Sequence, residues 1–175
     1  MQSLIDAYEA IRDFLELGGP VLRVIAIVIM IMWILILERL IYFRTGLQDR
    51  IKEAFAKWEQ RAERKSWHAH QVRERIVSEV RAAANQGLPM IQTLNALCPL
   101  LGLLGTVTGM ITVFEVMAVQ GTGNARSMAA GVSMATIPTM AGMVGALSGV
   151  FLVTILTRAA KRRIGFLEDE LTMDH

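Results

Sequence analysis

The sequence predicts an all-α integral membrane protein: three transmembrane helices, cytoplasmic helical extensions and an N-terminal amphipathic helix. Three observations predict it. Of the 175 residues, 53% are hydrophobic and only 19% are charged. Those charges are clustered, not interspersed as on a soluble surface. Three apolar stretches reach or approach the roughly 20 helical residues that a hydrocarbon core about 30 Å thick requires.

Residues 1–19 come first. Leu4, Tyr8, Ile11 and Leu15 recur at helical spacing with Ile5 and Phe14 beside them, predicting a short amphipathic helix along the membrane interface. Asp6, Glu9, Asp13 and Glu16 against Arg12 alone are the wrong charge for a cleaved signal peptide. Gly18, Gly19 and Pro20 break the helix. Residues 20–43 are the first span, uncharged from Val24 to Leu37 and rich in the large apolar residues that suit lipid. Residues 44–89 follow as a helical region, in which Ile51, Phe55, Trp58 and Ala62, and then Val72, Ile76, Val80 and Ala83, keep helical spacing. The rhythm lapses around Ser66 to Gln71, and Gly87 and Pro89 mark a break before the second span. The second span is 90–119, the connection 120–127, the third span 128–157 and the tail 158–175. Spans of about 30 residues exceed about 40 Å at 1.5 Å per residue, so they tilt or project beyond the hydrocarbon.

Charge sets the orientation. Eleven Lys or Arg lie between Arg39 and Arg81, and Arg158, Lys161, Arg162 and Arg163 follow the third span. The acidic N-terminus and the short connection, with Arg126 alone, are poor in them. The positive-inside rule puts the N-terminus outside and the 44–89 region and the C-terminus in the cytoplasm. Nucleic acid is not the expected partner of the basic region, because Asp49, Glu53, Glu59, Glu63, Glu74 and Glu79 interrupt it. Cys98, the one cysteine, lies in an apolar span and reads as packing. His68 and His70, two apart, point to different helix faces and make a poor metal pair. No cofactor is expected. A catalytic set is missing from the spans, so an enzyme is not expected either.

Spans two and three differ from the first in carrying small residues. Gly102, Gly105 and Gly109 make one face, and Gly142, Ala146 and Gly149 another. Lipid tails are as apolar as leucine, so membrane helices associate by close packing, which small residues at spacings of three and four permit. A three-helix monomer would use such faces, and so would a homo-oligomer with copies packed side by side; their number favours the oligomer. Pro99 and Pro138 sit mid-span and leave the carbonyls of Asn95 and Met134 without helical donors. A harmless kink compensated by Ser or Thr is one reading. The other is a protein-lined or water-filled site that satisfies them. Threonines in membrane helices mostly bond back to their own helix, but Thr106 and Thr139 fall near mid-span beside the glycines, with Thr136 and Pro138 adjoining. Their hydroxyls can hydrogen-bond water or a carboxyl group. Glu115, the one Asp or Glu between Met90 and Thr157, lies near the outer end of span two and not at mid-membrane, so a proton carrier has to come from elsewhere.

The segments LCPLLGLLGTVTGMITVF, from Leu97 to Phe114, and GVSMATIPTMAGMVGALSGVF, from Gly131 to Phe151, resemble the second and third spans of the MotA/TolQ/ExbB proton-channel family. The Glu38-Arg39 pair ending span one agrees, and the small cytoplasmic part is similar to a compact ExbB of a TonB-linked system. The resemblance implies a homopentamer in the bacterial inner membrane around a pore. That pore would hold the single-span helices of an ExbD-like dimer whose aspartate carries the proton. It also implies a TonB-like protein that passes the work to outer-membrane transporters. The family's pore threonine falls on Thr106 and its third-span threonine on Thr139. Many members have a glutamate where this sequence has Met134. A TolQ-like subunit for envelope maintenance and a non-conducting membrane scaffold are the alternatives.

The orientation is tested by single cysteines at Ser66 and Thr122 in a Cys98→Ala background. An impermeant reagent, added to intact cells whose outer membrane is permeabilised, should label position 122 and miss position 66; the opposite pattern inverts the topology.

Overall fold

A computed structural model describes residues 2–60, 66–121 and 125–171, which form six helices. The Ala62 expected to continue the apolar stripe, and Thr122, Asn124 and His175, lie outside the described residues. Helix α1 is Gln2–Leu17, α2 Gly19–Arg44, α3 Gly46–Glu59, α4 Trp67–Asn85, α5 Leu88–Gln120 and α6 Ala125–Glu170. Three stretches, in Gly19–Glu59, Trp67–Val119 and Ala125–Glu170, are long and apolar enough to cross a membrane. The chain is an all-α membrane protein.

The helix boundaries have local causes. Gly19, at φ +68, turns the chain between α1 and α2, a conformation costly for any residue with a β-carbon. Gly87, at φ +79, does the same between α4 and α5. Pro89 falls in the first turn of α5, where a missing N–H costs nothing. Helix α4 begins within the stretch where the apolar rhythm lapses: the Ser66 hydroxyl accepts from the Ala69 N–H at 3.3 Å and caps the first turn. That first turn exposes Trp67 and buries only Ala69, which is why periodicity fades there. Helix α6 runs well past the expected end of the third span, continuing through the basic residues to Glu170.

The chain divides into two compact units, Met1–Trp33 with Thr93–Val150, and Ile34–Gln92 with Phe151–His175. In the first, α1 leaves Tyr8, Ile11 and Phe14 exposed, a bare apolar face. Leu22, Ile25 and Met32 of α2, Cys98 and Val113 of α5, and Ala135 and Pro138 of α6 are buried. The glycines of α5 and α6 are spent on one another and on α2. A β-carbon on Gly142 would stand 2.5 Å from the Cys98 carbonyl oxygen, and one on Gly109 2.5 Å from the Ala135 backbone. One on Gly149 would collide with Asn95, and one on Gly145 with Ile29. The small-residue surface that looked surplus to one chain is thus consumed within it, because α6 meets α5 and α2 on different sides. Large apolar residues dominate what α5 and α6 leave exposed in this unit, Leu100, Leu103, Val107, Ile111 and Phe114 on one and Met140, Val144 and Leu147 on the other, with Thr108, Ser133 and Thr136 exposed among them.

In the second unit, α3 packs on α4 through Leu47, Ile51, Ala54 and Trp58 and through Ala69, Ile76, Val80 and Ala84. Val153, Leu156, Ala160, Ile164 and Leu167 give the later part of α6 a buried stripe at helical spacing. The basic residues between them stay outside.

Gly142→Ala should lower resistance to unfolding by about 1–3 kcal/mol, the usual cost of overpacking. Gly165→Ala, where nothing lies within 4 Å, should raise it by up to about 1 kcal/mol through helix propensity. Far-UV circular dichroism during titration from mild detergent into SDS measures both.

Candidate functional site

Most of the expected site residues lie along the seam between α5 and α6; Thr136 is exposed, and Gly149 lies against Asn95 and Met32. Gly102, Gly105 and Gly109 recur at three and four residues, so they line one side of α5. Opposite them, α6 presents Ala135, Pro138, Thr139 and Gly142. The Pro138 ring is fully buried and fills the hollow at Gly105, while the Gly102 α-carbon side lies against the Thr139 backbone. A ring with no N–H is a compact knob, and glycine opposite is the socket. Both α5 and α6 remain α-helical through their prolines, but Pro99, unlike Pro138, is exposed.

Close approach makes one polar contact possible. The Thr139 hydroxyl donates to the Gly102 carbonyl at 2.9 Å, bridging the two helices. Other hydroxyls of these spans turn back to their own helix, among them Thr106 to the Leu103 carbonyl at 2.6 Å, Thr136 to Ser133 at 3.2 Å and Ser148 to Gly145 at 2.7 Å. None of these bonds goes to the carbonyls freed by proline, those of Asn95 and Met134. Thr106 is half-buried one turn from Gly102, and Thr136 is exposed. Met134, at the position where the resembling family often has glutamate, packs its methyl end against Gly19.

Two residues escaped the sequence reading. Asn95 has a buried side-chain oxygen with no hydrogen-bond partner, pressed against Gly149 beside Met32. An amide one turn ahead of a mid-span proline was the available signal. In the second unit, Arg39 is only 7% exposed, with its guanidinium against Gly87 and 5.1 Å from the centre of the Tyr42 ring. It was visible only as the end of a span. The basic region also has structural work: Arg73 donates to the Leu171 and Glu168 carbonyls at 2.7 and 2.6 Å, and Arg81 pairs with the Glu168 carboxylate. Cations at these last carbonyls satisfy the open end of α6. His70 lies 3.3 Å from Glu74 in an exposed ion-pair geometry, and His68 stacks edge-on to Trp67.

The seam contains hydroxyls, carbonyls and a thiol but no carboxylate or amine. It can accept, donate and position; it has no group of its own to carry a proton at neutral pH. Thr139→Val should cost about 0.6 kcal/mol, and at most about 1.7, the range for interhelical side-chain bonds in membranes. Thr139→Ser should recover most of that loss in the same SDS titration.

Comparison with known proteins agrees with this architecture. A family model described as the MotA/TolQ/ExbB proton channel family matches residues 41–169. The chain is 35% identical over 88 residues to a Synechocystis sp. protein named biopolymer transport protein ExbB-like 1, covering 49% of this chain and 35% of that protein. It is 35% identical over 96 residues to the Vibrio cholerae biopolymer transport protein exbB1, covering 54% and 42%. The matched regions thus span less than half the length of these relatives. With three apolar helices long enough to cross a membrane and a family match over most of its length, the chain belongs to the MotA/TolQ/ExbB proton channel family.

Proposed function

We propose that the chain is an ExbB-like subunit of a motor in the bacterial inner membrane, using the proton gradient to energise TonB-dependent transport across the outer membrane. The observation that carries this reading is a channel-family seam at membrane depth with hydroxyls and carbonyls and no carboxylate. Such a subunit conducts only when a partner brings the proton carrier. In this reading five copies surround a pore holding an ExbD-like single-span dimer, whose aspartate takes up and releases the proton, and a TonB-like protein transmits the work. The N-terminus and residues 120–127 face the periplasm, and residues 44–89 and 158–175 face the cytoplasm.

The roles of the side chains follow from their bonds. A carboxylate at the bilayer centre costs roughly 3 kcal/mol, so polar contacts that reduce this penalty govern turnover. A threonine hydroxyl donating to its own helix keeps lone pairs free to accept from a protonated carboxyl group. Turned away from that carbonyl, it donates to the ionised form instead. Thr106 and Thr136 make this exchange by giving up one local bond each. Thr139 would have to release α5 to do so; it holds Thr106 in position, with Pro138 seated beneath it at Gly105.

Thr106→Val should therefore reduce proton-gradient-dependent nutrient uptake by cells severalfold while the complex still co-purifies with its single-span partner, and Thr106→Ser should retain more uptake. Thr139→Val should reduce uptake and weaken the helix seam together. If both valine variants assemble and transport at the wild-type rate, the hydroxyls are packing groups and the proposed route is wrong.

A further inference from the structure

A groove with one polar end and one apolar end runs down the first unit, beside α2. Its upper part is a cavity of about 450 Å³ between α1 and the start of α2, walled by Tyr8, Arg12, Glu16 and Arg23. Ile11 and Leu15 belong both to that wall and to the next cavity, of about 330 Å³. Phe14, Ile29 and Ala141 in turn join the second cavity to a third, of about 560 Å³, closed by Trp33, Met140 and Val144.

The charges occupy one end only. Arg12 is paired with Glu16 at 2.9 Å. Arg23 makes no ion pair and no hydrogen bond among the described residues, although it lies one turn inside a helix that is otherwise apolar as far as Leu37. With two arginines and one glutamate, the polar end carries a net positive charge. From Arg23 to Trp33 is ten residues of α2, about 15 Å at 1.5 Å per residue. That equals one leaflet, half of a hydrocarbon core about 30 Å thick. A cation at the top of a leaflet-deep apolar groove complements a molecule with an anionic head and two apolar tails.

We propose that this groove holds one anionic phospholipid, its phosphate at Arg23 and its acyl chains along Phe14, Ile29, Trp33 and Met140. The lipid ties α1 to α2 and α6, supplying the cover that the apolar side of α1 does not receive from the chain itself.

The test is native mass spectrometry of the intact protein, purified in mild detergent. Equal amounts of dioleoyl phosphatidylglycerol or dioleoyl phosphatidylcholine, which share tails and differ in head charge, are added. Phosphatidylglycerol should be retained over phosphatidylcholine by roughly fivefold, the effect of one basic residue near an anionic membrane surface. Arg23→Gln should abolish that preference, and Arg158→Gln, outside the groove, should keep it. Ala141→Trp, which fills the groove where the second and third cavities meet, should lose both lipids, whereas Leu147→Trp, on an exposed position of α6 that lines none of the three cavities, should lose neither. Equal retention of the two lipids, or a preference unchanged by Arg23→Gln, overturns the proposal. So does Ala141→Trp keeping its lipid while changing the oligomer mass, which would assign the groove to a second copy of the chain.

Discussion

Everything in the first unit depends on how closely α6 approaches α5 at Gly102, Gly109 and Gly142. In lipid, burying a leucine between two helices gains little, because the acyl chains it leaves are equally apolar. Dispersion contacts and interhelical hydrogen bonds must supply the attraction, and both fall away steeply with distance. Glycine on α5 lets the α6 backbone come near enough for Pro138 to seat and for Thr139 to reach the Gly102 carbonyl. A helix pair held a few ångströms farther apart by alanine or leucine would lose the ring contact and the bond together.

That economy decides what the outer surface looks like. With the small faces turned inward, α5 and α6 present leucine, valine, methionine and phenylalanine outward. These side chains, unlike the glycines, are what the described residues of the two helices leave open to lipid or to another helix.

Basic residues in the second unit serve structure. Arg73 and Arg81 close the end of α6 by binding its last carbonyls and Glu168. Arg39 lies buried against the glycine that turns the chain into α5. Glycine is needed at position 87 for its positive φ, and a β-carbon there would also have to displace the guanidinium.

By itself the sequence determined the helical class, the three spans, the amphipathic N-terminal segment and the family resemblance. These rest on hydropathy and spacing along one chain, and those are local quantities. Thr106, Thr139, Pro138 and the glycines could be picked out because polar and small residues are conspicuous against an apolar background. Their division of labour was not legible there: Thr106 and Thr139 look alike as mid-span threonines, yet one bonds within its helix and the other across to Gly102. The neighbours of the glycine faces were not legible for a related reason, since a list of small residues does not say which helix takes up each face. Burial of Arg39, the unpartnered oxygen of Asn95 and the groove leading from Arg23 to Trp33 also belong to the tertiary structure alone. Each depends on the rotation of one helix about its axis relative to another, and that angle is set by packing between residues distant in the chain.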